Sequence, residues 1–156
     1  MKHPVTPATQ LLDERGAEYT KHQYDYKKKG ATVAAQLMEV DPHAVIKTLV
    51  MMDDLGNSMI VLMHAEKEVS LKELARQTGA KNVSTAPVKD AERVTGYSVG
   101  GISPFATRRA MPVYAQRTIL ELLYLYINGG RRGFILGMTP DTLVEVLNAT
   151  PVDMAR

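Results

Sequence analysis

An α+β fold in a single domain, with a mixed, mostly antiparallel, barrel-like sheet flanked by helices, is what the sequence predicts on three observations. Helical segments are interleaved with several hairpin-like pairs of apolar runs, which argues against both an all-helical and a pure β architecture. The chain has 156 residues, 45% of them hydrophobic, a size and apolar content that suit one core. Neither an internal repeat, nor a low-complexity linker, nor a break in composition divides it, so residues 1–156 are read as one unit.

Thr6-Pro7 followed by Leu11 and Leu12 predicts an N-cap and first-turn proline opening a short helix that stops near Gly16. Residues 19–26 alternate aromatic and polar side chains and read as a strand or extended segment. Residues 31–39 have the composition of a second helix, ended by Asp41-Pro42 because the residue before proline is pushed out of the helical region. Residues 45–52 and 58–64 are apolar runs separated by Leu55-Gly56-Asn57, which predicts two central strands joined as a hairpin. Ser70 is placed as the cap of a helix over 71–78 closed by Gly79, and Pro87 opens another over 88–94 closed by Gly96. Residues 111–116 and 123–128 read as strands, Asn128-Gly129-Gly130 as a turn and 133–138 as the returning strand. Thr139-Pro140 caps a last helix that runs to residue 148.

Composition removes several function classes. No window reaches the roughly 18 uninterrupted apolar residues of a membrane span, and the start Met1-Lys2-His3-Pro4 leads into Thr6-Pro7 rather than into an apolar signal core. A cytoplasmic protein with no membrane association is expected. The absence of cysteine excludes disulfides, thiolate metal sites and a cysteine nucleophile. A formal charge of +2 is too small for a strong nucleic-acid binder, although Lys27-Lys28-Lys29, Arg108-Arg109 and Arg131-Arg132 are local basic clusters. His3, His22, His43 and His64 are far apart with no recognised ligand spacing, so no metal site is expected.

Three features are costly for a purely structural chain. Lys47 shares one face of its strand with Val45, Leu49 and Met51, while Ile46, Thr48, Val50 and Met52 fill the other. An ammonium there either snorkels to water or meets an anionic ligand, and the two readings weigh equally. The segment Gly96-Tyr97-Ser98-Val99-Gly100-Gly101-Ile102-Ser103-Pro104 is the second. Its glycines allow the backbone to approach a ligand and offer amide donors, although a tight turn explains the bare pattern as well. It is neither a P-loop nor a dinucleotide fingerprint. The third is Asn128-Gly129-Gly130-Arg131-Arg132-Gly133, a hairpin signal whose arginines could meet phosphates. No Gly-x-Ser-x-Gly elbow is present, so a serine hydrolase built on Ser98 or Ser103 with His64 is the weakest reading.

In this order, Thr6-Pro7 with Leu11-Leu12, Tyr24, Lys47-Thr48-Leu49, residues 71–79, residues 95–104 and Gly129-Gly130-Arg131-Arg132-Gly133 resemble the YbaK/EbsC family, whose fold is shared with the editing domain of bacterial prolyl-tRNA synthetases. The resemblance extends from near residue 5 to near 150. It implies a hydrolase that removes a small amino acid, cysteine or alanine, from mischarged tRNA, most typically the proline tRNA, with no metal and no cofactor; the small net charge, which leaves few phosphate contacts, adds a prolyl-tRNA synthetase as the partner that hands the tRNA over. The resemblance implies catalytic roles for Lys47, Gly100 and Gly101, substrate contacts from Tyr24, Thr48, Ser98, Ile102, Ser103, Pro104, Asn128, Gly129 and Ile135, and tRNA contacts from Arg131 and Arg132. Members acting on cysteine usually carry serine at the position of Asn128 and an acidic residue at that of Ile135, and the stretch between Lys27 and Ala31 is shortened. A non-catalytic module binding an aminoacyl or nucleotide ligand is the competing class.

Overall fold

The computed structural model describes residues 2–26 and 31–156, so the Lys27-Lys28-Lys29 cluster and the shortened stretch around it lie outside the described residues. Thr6 caps α1 (Pro7–Glu14) as expected: its hydroxyl accepts from Thr9 N at 3.2 Å, and the Thr9 hydroxyl accepts from Thr6 N at 3.0 Å. The chain continues through β1 (Thr20–Gln23), α2 (Ala31–Met38), a 3-10 turn at Pro42–Ala44, β2 (Val45–Asp53), β3 (Ser58–His64) and α3 (Leu71–Thr78). It then forms β4 (Val83–Thr85), α4 (Val88–Thr95), β5 (Val113–Gln116), a 3-10 turn at Arg117–Glu121, β6 (Leu125–Arg131), β7 (Phe134–Met138), α5 (Asp141–Leu147) and β8 (Thr150–Val152). Gly79 and Gly96 end α3 and α4 in left-handed conformations, the geometry their positions predicted.

The strands form one mixed sheet in the order β1-β7-β6-β2-β3-β5-β8, with β4 added beside β2. Four pairings are antiparallel (β1 with β7, β2 with β3, β2 with β4, β6 with β7). The other three (β2 with β6, β3 with β5, β5 with β8) are parallel. The expected β2–β3 hairpin is present, and β3 is buried over residues 59–64 because helices and strands cover both of its faces. Ile60 and Leu62 join Val50 in one core cluster. Met59, Val61 and Met63 join Met51 and Leu74 in a second on the opposite face. No helix among the described residues is long and apolar enough to cross a membrane.

Two local expectations are corrected. Asn128, Gly129 and Gly130 are not a turn: they remain in β6, whose register against β7 shifts between Asn128 and Arg131, and the chain reverses between Arg131 and Phe134 with Gly133 at φ 75°. Thr139-Pro140 does not cap α5 through a side chain; Thr142 N instead donates to Thr139 O at 3.2 Å. The three-residue strands β4 and β8 exist through their pairing partners rather than through any local pattern.

Candidate functional site

The site begins with an interruption of the sheet. Along β2, residues 46–52 pair continuously with β3 on one edge. On the other edge β6 pairs with Val45 and Ile46, β4 pairs with Met51, Met52 and Asp53, and residues 47–50 have no strand beside them. Hydrogen-bonding groups alternate between the two edges of a strand. Val45 O accepts from Ala65 N and Asp53 N donates to Asn57 O, so odd-numbered residues of β2 turn their main-chain groups toward β3 and even-numbered ones toward the interrupted edge. Ile46 is held by β6, and Val50 O accepts from Ala86 N at 3.0 Å. Thr48 lies between them, its N–H and C=O facing the gap without a strand partner. Its Oγ1 is buried and has no hydrogen-bond partner.

A cleft of about 320 Å³ occupies this gap. Val45, Ile46, Lys47, Thr48, Leu49 and Val50 line it from β2, together with Ala31 and Ala34 of α2, Thr85 and Ala86 beside β4, Val88 and Ala91 of α4, and Val99, Gly100 and Ile102 of the glycine-rich loop. Tyr24, Asn128 and Ile135 complete it. Because the edge of β2 is open, residues from both faces of the strand reach the same space. Lys47 is half-buried, and among the described residues it makes no hydrogen bond or ion pair; no Asp or Glu lines the cleft. Burial, and then the neighbouring Tyr26, push the Tyr24 hydroxyl above its ordinary range, so it is a neutral donor at physiological pH.

The loop after α4 is held on all sides. Val99 N donates to Glu92 Oε2 at 2.8 Å, Arg132 Nε donates to Val99 O at 3.0 Å, and Gly101 N donates to Ser98 O at 2.8 Å. Asn128 ties the loop to the β6 bulge: its Nδ2 donates to Gly100 O (3.2 Å) and Arg131 O (3.3 Å), while its Oδ1 accepts from Gly130 N (2.7 Å) and Arg131 N (3.2 Å). Gly100 has φ 94°, a left-handed conformation that favours glycine, and a Cβ there would also displace the Tyr26 hydroxyl.

The structure therefore brings Tyr24, Lys47, Thr48, Gly100, Ile102, Asn128 and Ile135 together and places the other expected residues elsewhere. Ser98, Gly101, Arg131 and Arg132 line an adjacent groove of about 570 Å³ with Val5, Thr6 and Pro7. The Gly101 amide is committed to Ser98 O; of the two glycine amides expected to serve as donors, Gly100's has no intramolecular partner among the described residues. Ser103 is fully buried, its Oγ accepting from Phe105 N at 3.2 Å, and Pro104 is buried beside it. Gly129 is a packing glycine: a Cβ would sit 2.8 Å from Phe134 Cδ2, and its carbonyl accepts from Thr6 Oγ1 at 2.6 Å. Asn128 lines the cleft, but its polar atoms are spent on backbone. Sequence reading missed Ala31, Ala34, Ala86, Val88, Ala91 and Val99 as lining residues; the one local signal is the run of alanines in α2.

His43 and His64, distant in sequence, are stacked with ring centroids 3.6 Å apart and planes 9° from parallel, and Glu66 lies 3.1 Å from His43 Nδ1. These three are within metal-ligand spacing of one another. An ion bound to an imidazole nitrogen lies in the plane of the ring, and two parallel rings at this separation share no such point, so the arrangement fits hydrogen bonding instead. His64 uses both nitrogens, bonding His43 O through Nδ1 and Thr118 Oγ1 through Nε2, and neither Ser98 nor Ser103 pairs with it.

An apolar cleft at a break in a sheet, holding one unpartnered cation and exposed main-chain groups, defines a small-ligand site built mainly from backbone. The chain matches the model of the aminoacyl-tRNA editing domain over residues 27–146 and belongs to that family. It is similar to EbsC of Enterococcus faecalis, provisionally designated a Cys-tRNA(Pro)/Cys-tRNA(Cys) deacylase, with 23% identity over 145 residues covering 92% of this chain and 88% of that protein. It is also similar to a proline–tRNA ligase of Lactobacillus delbrueckii subsp. bulgaricus, 25% identical over 96 residues that make up 62% of this chain and 17% of the ligase. The crystal structure of a provisionally designated trans-editing enzyme for prolyl tRNA synthetase shares the fold at a TM-score of 0.86 and 20% identity, covering 98% of this chain and 99% of that one.

Proposed function

We propose that the protein is an editing deacylase that hydrolyses the ester joining a small amino acid, cysteine or alanine, to the terminal adenosine of mischarged proline tRNA, and that it works in the cytoplasm beside a prolyl-tRNA synthetase. The observation that carries this reading is the unpartnered Lys47 ammonium in a predominantly apolar cleft that Gly100 also lines. Such a cation is costly unless an anionic or strongly polar ligand meets it, and the 3′ end of a tRNA supplies a phosphate and ribose oxygens. The Gly100 amide is suited to the carbonyl oxygen as negative charge develops there, where one donor is worth roughly 3–4 kcal/mol. Water, or the thiol of a bound cysteine, adds to the carbonyl carbon; the bond to the ribose oxygen then breaks, and that oxygen takes the proton. Ala34, Ala91, Ile102 and Ile135 favour a small uncharged side chain. Selection of this kind is needed because a synthetase pocket rejects a smaller analogue by only about 1–3 kcal/mol per missing methylene.

Arg131 and Arg132, in the groove on the far side of Gly101, are suited to phosphates of the acceptor strand. A panel of proline tRNA charged with cysteine, alanine or serine, incubated with wild type and Lys47→Ala, tests the reading. Rapid release of one or two of the three by wild type and none by the variant is expected. Equal rates remove Lys47 from the mechanism, and absence of hydrolysis alongside ligand binding replaces the deacylase with a binding module.

A further inference from the structure

We infer that the aminoacyl group docks on Thr48 as a one-residue strand, its α-ammonium donating to the Thr48 C=O and its ester carbonyl accepting from the Thr48 N–H. The inference rests on the deacylase reading for its ligand and on the sheet for its geometry. Thr48 is the even-numbered residue of β2 at the gap, where β6 stops at Ile46 and β4 starts at Met51, so a donor and an acceptor of the strand point together into the cleft. A residue in a hydrogen-bonded antiparallel pair exchanges its N–H and C=O with those of one partner residue. An aminoacyl ester carries the same two groups in the same order on either side of one tetrahedral carbon, and it bridges the gap where the sheet lacks a strand.

The ammonium has few other places to go. No carboxylate lines the cleft among the described residues, and Gly100 O already accepts from Asn128. The buried Thr48 Oγ1 likewise has no partner, so a bond from the ammonium to this hydroxyl is the alternative that Thr48→Val separates from docking on the main chain. The neighbouring Lys47 side chain projects from the opposite face of the strand, which keeps the two cations apart and orders the substrate along β2: terminal nucleotide toward Lys47, aminoacyl group on Thr48. The Thr48 N–H also becomes a second donor to the developing oxyanion beside that of Gly100, the role that Gly101 N cannot fill while bound to Ser98 O.

Two amide-linked probes test this, 3′-alanylamino-3′-deoxyadenosine and its 3′-propionylamino counterpart, which lacks only the amine. Titrated into the ¹⁵N-labelled full chain, the alanyl probe is expected to bind about 10- to 100-fold more tightly, the range of one charge-assisted hydrogen bond, and to shift the Thr48 amide resonance downfield and protect it from exchange. Thr48→Val, which keeps the main chain, is expected to keep that ratio. Equal affinities, an unmoved Thr48 amide in the bound state, a ratio abolished in Thr48→Val, or failure of the alanyl probe to bind while charged tRNA is hydrolysed would each overturn the inference. If no charged tRNA is hydrolysed yet the alanyl probe is preferred and moves the Thr48 amide, the docking mode stands and the deacylase reading falls.

Discussion

Replacing Asn128 by aspartate separates the anchoring of the glycine-rich loop from the shape of the cleft, because the two side chains are nearly isosteric. In the native protein one orientation of the amide satisfies all four partners, with Nδ2 between the carbonyls of Gly100 and Arg131 and Oδ1 between the amides of Gly130 and Arg131. Aspartate keeps the two bonds from the amides and sets a carboxylate oxygen against the two carbonyls. At about 0.5–1.5 kcal/mol per hydrogen bond, two lost bonds amount to about 1–3 kcal/mol before lone-pair repulsion is added. Asn128→Ala loses all four, about 2–4 kcal/mol when water replaces part of them in this half-exposed position. Urea unfolding gives the stability change, and single-turnover deacylation gives the effect on chemistry. In Asn128→Asp, a fall of at least about ten-fold in the single-turnover rate at pH 7, corresponding to roughly 1.4 kcal/mol, is expected from release of Gly100. Acidification that protonates the new carboxyl restores one donor and with it part of the rate, whereas Asn128→Ala shows no such recovery. An Asn128→Asp protein equal to wild type in stability and rate at pH 7 would refute the idea that this side chain holds the loop.

Other perturbations read different parts of the molecule. In Gly101→Ala the new Cβ would lie 2.8 Å from Arg132 N and 2.9 Å from Arg131 C, backbone atoms that cannot yield, so about 1–3 kcal/mol of stability and most of the editing rate should be lost. Gly79→Ala, at φ 78° in open space, should cost about 1–2 kcal/mol and leave the rate unchanged; assays of both variants by melting and deacylation check the contrast. Burial first, and then the neighbouring charges of His43 and Lys67, hold His64 below its ordinary value of 6.5 despite its bond to the His43 carbonyl. The unfolded chain then takes up a proton that the folded chain refuses, so stability is complete above about pH 6.5 and falls as pH drops below it. Urea titrations at about pH 7.5, 6 and 5 should show this slope, and His64→Gln should flatten it. Removing Arg131, whose side chain makes no bond to the loop among the described residues, should raise KM for charged tRNA and reduce the slope of log affinity against log salt by about 1, with kcat little altered, whereas removing Arg132 also frees Val99 O and should lower kcat; an unchanged slope in Arg131→Ala would take phosphate contact away from that side chain.

Much of the architecture was legible because it is local. The Thr6 cap, the β2–β3 hairpin and the glycine stops after α3 and α4 depend on neighbours within a few residues, and all formed as expected. The parallel pairings were not legible, since nothing in residues 45–46 states that they will meet residues 126–127. The site depends on that non-local fact. Lys47 stood out in sequence as a cation on an apolar strand, but the reason it reaches a cleft is that β6 leaves β2 after Ile46 and β4 joins at Met51. The glycine-rich loop was likewise half legible. Its glycines signalled close backbone approach, yet pattern alone could not say that Gly100 faces the cleft while Gly101 packs on the backbone of Arg131 and Arg132, or that Ser103 is buried. His43 and His64 were set aside as too distant, and a contact between the start of one strand and the end of its hairpin partner brought them together.

Those partial failures share a cause that bears on mechanism. The groups with the strongest claim on a substrate are the Lys47 ammonium, the Gly100 amide and the main chain of Thr48, and two of the three are backbone. Backbone groups leave no side-chain signature; they become available only where the fold withholds a partner, by ending a strand early or by forcing a glycine to φ 94°. An unmade sheet hydrogen bond lowers stability, and a fold keeps such a gap where something else completes it. Substitutions that fill the gap should therefore trade function for stability. Ala86→Val, at the residue whose N–H bonds the Val50 carbonyl, would narrow the cleft with added apolar contact, and it is expected to leave the protein at least as stable while slowing release of alanine less than release of the larger cysteine. Competition between the two charged tRNAs measures that ratio directly, and a ratio unchanged from wild type would mean that the aminoacyl side chain does not lie against Ala86.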